Sequence, residues 1–221
     1  MKKNLLLWQL LTLLALVLPT AYLAYAWAAL PAQVPTHFGL DGQPNGYTGR
    51  EHLWLLTLAL PLGLAVLLSM LPRLDPKHRI ATDTANFQKL RLAIVGLISG
   101  LACYCIYVSL HPGALSGRGL VVIIGLFFTL LGNYLTTVQP NYFVGIRTPW
   151  TLESSSVWAR THRVGGILFC LAGLLMAALA LVLPLAWVDK AMLGLILGTA
   201  AFCYLYSYLL FRQQERLGRS V

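Results

Sequence analysis

The stretch VGGILFCLAGLLMAALALVLPLAWV, residues 164–188, decides the fold class. It runs for 25 residues without a charged side chain. A helix needs about 20 apolar residues to cross a hydrocarbon core of about 30 Å. The stretch is therefore predicted to be a transmembrane helix.

Five further apolar runs of similar length flank it. They are Leu5 to Leu30, His52 to Leu71, Leu92 to Leu110, Leu120 to Val138, and Ala191 to Phe211. Only 10% of the chain is charged and 58% is hydrophobic, whereas soluble domains are about 25% charged. We predict an all-α integral membrane protein with six transmembrane helices. The first run contains a possible signal-peptide cleavage site at Ala24-Tyr25-Ala26, but it exceeds the length of a signal peptide's apolar core, which favours a retained helix.

Breaks between the runs follow from prolines and charges. Pro72 is predicted to stop the second run, and the segment from Asp83 to Gln88 to begin a short amphipathic helix that leads into the third. His111-Pro112-Gly113 is predicted to end the third run. The fifth run has Pro184 near its end, and Asp189-Lys190 is predicted to be the short link of a hairpin between the fifth and sixth runs.

Lysine and arginine set the predicted orientation, because cytoplasmic loops are enriched in them. With both termini in the cytoplasm, thirteen of the sixteen basic residues lie inside and three outside. The inside set is Lys2, Lys3, Arg73, Lys77, Arg79, Lys89, Arg91, Arg147, Arg160, Arg163, Arg212, Arg216 and Arg219; the outside set is Arg50, Arg118 and Lys190. The net charge of +9 thus indicates topology and contact with anionic lipid headgroups, not direct nucleic-acid binding.

The loops divide the chain into two predicted parts. Residues 1–75 form an N-terminal helical hairpin with an extracytoplasmic loop at 31–51, and residues 76–221 form a four-helix membrane region with a cytoplasmic loop at 139–163. The four cysteines lie inside apolar runs without a Cys-x-x-Cys pair, which is typical of buried thiols. No motif of a hydrolase, metalloprotease or P-loop enzyme occurs, so we expect neither enzymatic activity nor a cofactor.

The outer loop contains more turn-forming and aromatic residues than a simple linker needs. Prolines and the Asp41-Gly42 and Asn45-Gly46 pairs predict tight turns, while His37, Phe38 and Tyr47 offer a polar group and aromatic surface. Imidazole and carboxylate groups suit zinc, but the spacing of His37, Asp41, Glu51 and His52 matches no known ligand pattern, so no metal site is predicted.

The cytoplasmic loop is the second distinctive segment. Thr148-Pro149-Trp150-Thr151 is predicted to turn into a short helix capped by Thr151 or Ser154, with Pro149 holding Thr148 out of helical geometry. Trp150 and Trp158 are predicted in the aromatic belt of the membrane interface. The other candidates are Asn133, expected to bond another helix; His162, a titratable or interfacial hydrogen-bonding group; and Arg147, Arg160 and Arg163, which either bind lipid phosphate or a partner's carboxylates or extend to the headgroups.

These segments resemble a known family. Gly132-Asn133, Asn141, the run Gly145-Ile-Arg147-Thr148-Pro149-Trp150-Thr-Leu152, Val157-Trp158, Thr161-His162-Arg163 and Gly165-Gly166 look like the signature of the SdpI family of bacterial membrane proteins. The outer-loop residues Pro31, Val34-Pro35-Thr36-His37-Phe38, Gly42 and Asn45-Gly46 resemble the uncharacterised domain that often precedes it.

The resemblance implies a multi-pass protein of the bacterial plasma membrane that confers immunity to a secreted, sporulation-delaying toxic peptide. It also implies possible partners: the toxin peptide outside, membrane lipids, and a separate cytoplasmic repressor that the membrane protein sequesters. Two other functions stay open. One is a small transporter or lipid-handling protein that uses Asn133, His162 and Arg163; the other is an accessory subunit of a membrane complex.

Overall fold

A computed structural model of the protein describes residues 2–39, 42–74, 84–112, 117–141 and 143–218. Seven α-helices and a two-stranded sheet follow one another in these segments. The elements are α1 Lys2–Ala26, β1 Gln33–Phe38, β2 Pro44–Gly49, α2 Leu60–Leu74, α3 Ala85–Leu110, α4 Arg118–Leu135, α5 Pro149–Glu153, α6 Ser155–Val182 and α7 Leu185–Arg216. Short 3₁₀ turns follow α1 and β2, at Trp27–Ala29 and Arg50–His52, and a π-helical turn, Leu55–Ala59, leads directly into α2.

The described residues contain six helical spans that are long and apolar enough to cross a membrane. They are Leu5–Ala29, Arg50–Leu71, Ala85–Leu110, Arg118–Leu135, Ser155–Val182 and Leu185–Arg216. The predicted fold of six transmembrane helices is therefore confirmed. The cytoplasmic location of both termini stays a prediction from the charge count, as does the division of the chain at residue 75.

The loop between the first two spans folds into an antiparallel hairpin, which the turn signals alone did not predict. Its register pairs Val34 with Thr48 and Pro35 with Tyr47, with irregular pairing around His37. Val34 is buried in an apolar cluster that includes Leu23 of α1 and Ile106 of α3. The hairpin thus sits where α1 ends and α3 ends.

The hairpin and the 139–154 segment lie at opposite ends of the helices. Gly42 contacts Gly117, at the start of α4, whereas the 139–154 segment follows the other end of that helix. Since α4 has 18 residues at a rise of 1.5 Å each, about 27 Å separates its two ends. We call these two regions the hairpin end and the motif end.

Glycines bring α4 and α6 into backbone contact. A Cβ on Gly132 would lie 2.6 Å from the carbonyl oxygen of Gly166, and one on Gly125 would lie 2.6 Å from that of Gly173. Between these contacts the Cys170 thiol donates to the Thr129 carbonyl at 3.2 Å. Small residues promote such close packing in membranes, where water exclusion does not drive helices together.

The predicted link between the last two spans was wrong. Asp189 and Lys190 lie inside α7, and the chain turns instead at Leu183 and Pro184. Pro184 has no N–H to continue α6 and its ring keeps Leu183 extended, at φ −73° and ψ 150°. The ammonium of Lys190 lies 4.8 Å from the centroid of the Trp187 ring. This cation–π contact within α7 stabilises the charge of Lys190.

Two other boundaries differ from the sequence prediction. The second helix is described as far as Leu74, so Pro72 does not stop it; a proline removes only one backbone donor, and the helix continues past it. The expected short amphipathic helix is the first part of α3, with Thr84 as its N-cap, and is continuous with the third span. Several residues named in the sequence predictions lie outside the described residues: Asp41, Lys77, Arg79, Asp83, Gly113 and Arg219.

Candidate functional site

The segment between α4 and α6 is held in shape by a buried amide. Asn141 is 3% exposed, and its Oδ1 accepts hydrogen bonds from the backbone N–H groups of Phe143 and Val144, both at 2.8 Å. Its Nδ2 donates to the carbonyls of Gln139 and Val144 at 2.9 and 3.0 Å. An asparagine side chain can in this way pair the backbone N–H and C=O groups of its own loop, which lack the partners that a helix or sheet would supply.

Trp158 fastens this segment to α6. The indole is 1% exposed, and its Nε1 donates to the Val138 carbonyl at 3.0 Å. The sequence prediction that places Trp158 in the aromatic belt is therefore wrong. A buried indole needs an acceptor for its N–H, and the loop carbonyl supplies one.

His162 makes a second attachment one helical turn further along. Its ring is 1% exposed, stacks on Trp158 with centroids 4.0 Å apart, and uses both nitrogens. Nε2 lies 2.7 Å from the backbone nitrogen of Ile146, and Nδ1 lies 2.9 Å from the Trp158 carbonyl. Because the Ile146 N–H donates, Nε2 is an acceptor and the geometry assigns the neutral Nδ1–H tautomer.

Gly145 is the residue that lets the loop approach these rings. Its φ of +140° is rarely adopted by residues with a side chain. A Cβ there would lie 2.9 Å from the Trp158 ring and would also meet Nε2 of His162. Asn141, Gly145, Trp158 and His162 thus form one unit, which we call the loop clamp.

The Thr148-Pro149 step starts α5 as expected, with one correction. Thr148 is extended, at φ −96° and ψ 160°, and is itself the N-cap; Thr151 completes the capping box from the other side. Ser154 instead caps α6, where it accepts from the Val157 N–H. The prediction that Thr151 or Ser154 caps the short helix is therefore wrong: Thr148 caps α5, and Ser154 caps the next helix, α6.

Hydroxyl groups connect α5 to α7. Thr148 Oγ1 donates to Ser207 Oγ at 3.0 Å, and Ser207 donates to the Tyr204 carbonyl at 2.7 Å. Thr151 Oγ1 donates to the Ile146 carbonyl at 2.8 Å, which joins this network to the loop clamp. Trp150 is half-buried against the rings of Tyr204 and Tyr208, both with centroids 5.0 Å away. Ser207 and Gln214, which accepts from Ser154, were not predicted, although both are polar groups in or just after an apolar run.

Three arginines and one asparagine of the motif are exposed, whereas Thr161 is buried. Arg147, Arg160 and Arg163 are exposed, the first on the loop and the other two on the second and third turns of α6. Asn133 is also exposed, and its side chain makes no hydrogen bond to another helix within the described residues. Burial therefore divides the sequence-predicted residues into a clamp that shapes the motif end and three guanidinium groups that remain available.

The hairpin end brings its predicted residues together only in part. Pro35 is buried and Phe38 packs on Tyr104, with ring centroids 5.2 Å apart, whereas His37 is exposed. Gly42, at φ +73°, contacts the backbone of Gly117, whose N–H donates to the Tyr104 hydroxyl at 3.3 Å. Tyr104 and Gly117 were not predicted, because nothing in the third apolar run or the following loop marks them as partners of the hairpin.

Metal-binding chemistry has no assembled donor set in the described residues. They contain no group of three or more His, Cys, Asp or Glu side chains that can hold an ion, and Asp41 lies outside them. All four cysteines are free thiols.

Comparison with known proteins matches both ends of the molecule. The SdpI/YfhL protein family matches residues 137–207, which contain the loop clamp, and a domain of unknown function, DUF1648, matches residues 14–60, which contain the hairpin. The chain is 28% identical over 90 residues to the protein named Immunity protein SdpI from Bacillus subtilis (strain 168). That alignment covers 39% of this chain and 44% of the relative, so the chain spans less than half the length of the relative it matches. No solved structure matches. The resemblance to the SdpI family is confirmed, and the protein is a multi-pass membrane protein.

Proposed function

We propose that this chain is a bacterial membrane immunity protein that protects the cell against a secreted toxic peptide. The observation that carries the proposal is the coincidence of the family match with the loop clamp. The matched residues 137–207 include the tightly bonded Asn141–His162 unit and the exposed arginines around it. A segment that only linked two spans would need neither.

In this proposal the hairpin end and the motif end have different roles. The hairpin end faces outward and meets the peptide, in line with the distribution of basic residues. The motif end faces the cytoplasm and offers Arg147, Arg160 and Arg163 to carboxylates of a cytoplasmic partner, such as a repressor that the protein sequesters. The clamp fixes where these guanidinium groups stand, since Arg147 follows Ile146 directly and Arg163 follows His162.

Survival of toxin-sensitive bacteria tests the proposal. Cells that express the chain should survive a sporulation-delaying toxic peptide at a concentration that kills cells with an empty vector. Deletion of the gene in its own host should have the opposite effect. Unchanged survival in both settings, across candidate toxins, would contradict the immunity function.

A matched set of variants separates protection from partner binding. His162→Ala should weaken protection because the clamp opens, whereas the triple change Arg147→Ala, Arg160→Ala and Arg163→Ala removes only exposed groups. If protection needs a cytoplasmic partner, the triple variant should lose it at an unchanged membrane level on an immunoblot. If protection needs the membrane part alone, the triple variant should protect like the native chain, and the sequestration proposal fails while immunity stands.

The transporter alternative has less support from the geometry. Asn133 and Arg163 are exposed, whereas both ring nitrogens of His162 are used within the protein. The three groups named for a pathway are thus not free to act together. Flux or lipid binding by reconstituted protein, abolished by Arg163→Ala, would favour that alternative.

A further inference from the structure

A cavity of about 270 Å³ lies between the hairpin and the end of α3. Its lining is Pro31, Gln33, Pro35, Gly42, Gln43, Pro44, Tyr47, Tyr104, Val108, Ser109 and Pro112. Neither His37 nor Phe38, the residues that the sequence marked for ligand contact, is among these residues. Phe38 instead packs against the Tyr104 ring and against the apolar cluster of Leu23, Val34 and Ile106.

The volume and chemistry of the cavity restrict what it can hold. Pockets for whole small molecules begin at about 300 Å³, so this one suits a part of a larger ligand, such as a side chain. No charged side chain occurs among its described lining residues, and prolines and tyrosines dominate. Transfer of a charged group into such a site is unfavourable, whereas an apolar group gains from leaving water.

The walls are rigid before anything binds. The Tyr104 ring is buried and fixed by Phe38 on one side and by its hydrogen bond with the Gly117 N–H. Ser109 donates to the Cys105 carbonyl at 2.6 Å, and the prolines limit backbone freedom. A preformed wall loses little entropy on binding. Tyr47, 61% exposed, stands at the rim with a large amphipathic surface of the kind that dominates peptide recognition.

We infer that this cavity binds one uncharged apolar side chain, aromatic or large aliphatic, of an extracellular peptide. The inference rests on the proposed function for the peptide and for the outward orientation. The occupant is a peptide side chain because the exposed Tyr47 at the rim is part of strand β2. In the described part of the chain β2 pairs with β1 alone, so its other edge has no partner strand. An extended peptide can run along this strand while one of its side chains enters the cavity.

Blocked tripeptides test the cavity directly, with the full chain in lipid nanodiscs. Acetyl-Gly-Phe-Gly-amide should show saturation transfer from the protein in NMR, and acetyl-Gly-Glu-Gly-amide should bind about tenfold more weakly. Ser109→Phe fills the cavity from α3 and should reduce the phenylalanine signal about tenfold, as should Tyr47→Ala. Asn45→Ala is the matched control, since Asn45 is exposed on β2 but does not line the cavity.

Three outcomes would overturn the inference. Equal signals from the two tripeptides would show that the cavity does not select apolar groups. An undiminished signal in both folded Ser109→Phe and Tyr47→Ala would place binding elsewhere. Saturation of lipid acyl protons with none of the phenylalanine probe would show that lipid occupies the site.

Survival assays separate failure of the site from failure of the function. If the native chain protects cells and Ser109→Phe protects them equally, the site is wrong and the immunity function stands. If the native chain does not protect but the phenylalanine probe binds and Ser109→Phe blocks it, the function is wrong and the cavity remains an apolar side-chain site.

Discussion

Both ends of this molecule have an apolar cluster, and the motif end adds a set of buried side-chain hydrogen bonds to one loop. At the hairpin end, Leu23, Val34 and Ile106 form an apolar cluster, and Phe38 packs against Tyr104. At the motif end, buried polar side chains bond to backbone groups of a single loop. Apolar packing tolerates exchange of one hydrophobic group for another of similar size, whereas a buried hydrogen bond needs a particular atom at a particular place. The motif end is thus specified by residue identity and the hairpin end mainly by volume and shape.

The glycine contact between α4 and α6 should give the largest effect. Gly132→Val adds atoms against the backbone of Cys170 and Gly166, which cannot move without separating α4 from α6. We expect a loss of about 3 kcal/mol or more in the free energy of unfolding, since overpacked cores lose 1–3 kcal/mol even where side chains can adjust. Stability in detergent and the monodisperse fraction in size-exclusion chromatography measure it.

Gly198→Val is the control for this change. Gly198 lies in α7, and apart from its own helix no described atom lies within 4 Å of an added Cβ, so the substitution should leave folding nearly unchanged. Equal behaviour of the two variants would mean that α4 and α6 are not in backbone contact.

The loop clamp should give an intermediate effect. His162→Ala leaves the Ile146 N–H without its acceptor and removes a buried ring, which should cost about 2–3 kcal/mol. Hydrogen exchange at the Ile146 amide should become faster. Trp158→Phe retains a ring but loses the donor to Val138, so it should cost about 1–2 kcal/mol. Slow exchange at Ile146 in His162→Ala would contradict the clamp.

The hairpin end should be the more tolerant of the two. Phe38→Leu keeps an apolar side chain against Tyr104 and breaks no hydrogen bond, so it should cost no more than about 1.5 kcal/mol. Chemical unfolding of this variant beside Trp158→Phe compares an apolar exchange at the hairpin end with the loss of a buried hydrogen bond at the motif end. A larger loss in Phe38→Leu than in Trp158→Phe would reverse the distinction drawn between the ends.

This distinction also explains how far the sequence could predict the structure. Six spans follow from run length because the bilayer sets a simple requirement. At the motif end, the residues from Gly145 to His162 identify the family, but they do not predict burial. Trp158 is buried and not interfacial, and Asn133 is exposed and not packed between helices. An isolated tryptophan or asparagine near a span end fits either position, and only the path of the loop decides.

Contacts between residues far apart in the sequence could not be predicted. The partners of Thr148 and Gly42 are Ser207 and Gly117, 59 and 75 residues away, and no local pattern links them. Pro184 and not the Asp189-Lys190 pair sets the last turn, because a proline has no N–H to continue α6. One turn of helix readily carries two charges near a membrane surface.

Cysteine labelling in intact cells tests most directly whether the two ends face opposite sides of the membrane. His37 and Arg147 are both exposed, one at each end, and the four native thiols lie within spans and supply the background. We predict that a membrane-impermeant maleimide labels His37→Cys in intact cells but labels Arg147→Cys only after the membrane is opened. Labelling of both in intact cells, or of Arg147→Cys alone, would contradict the two-sided account.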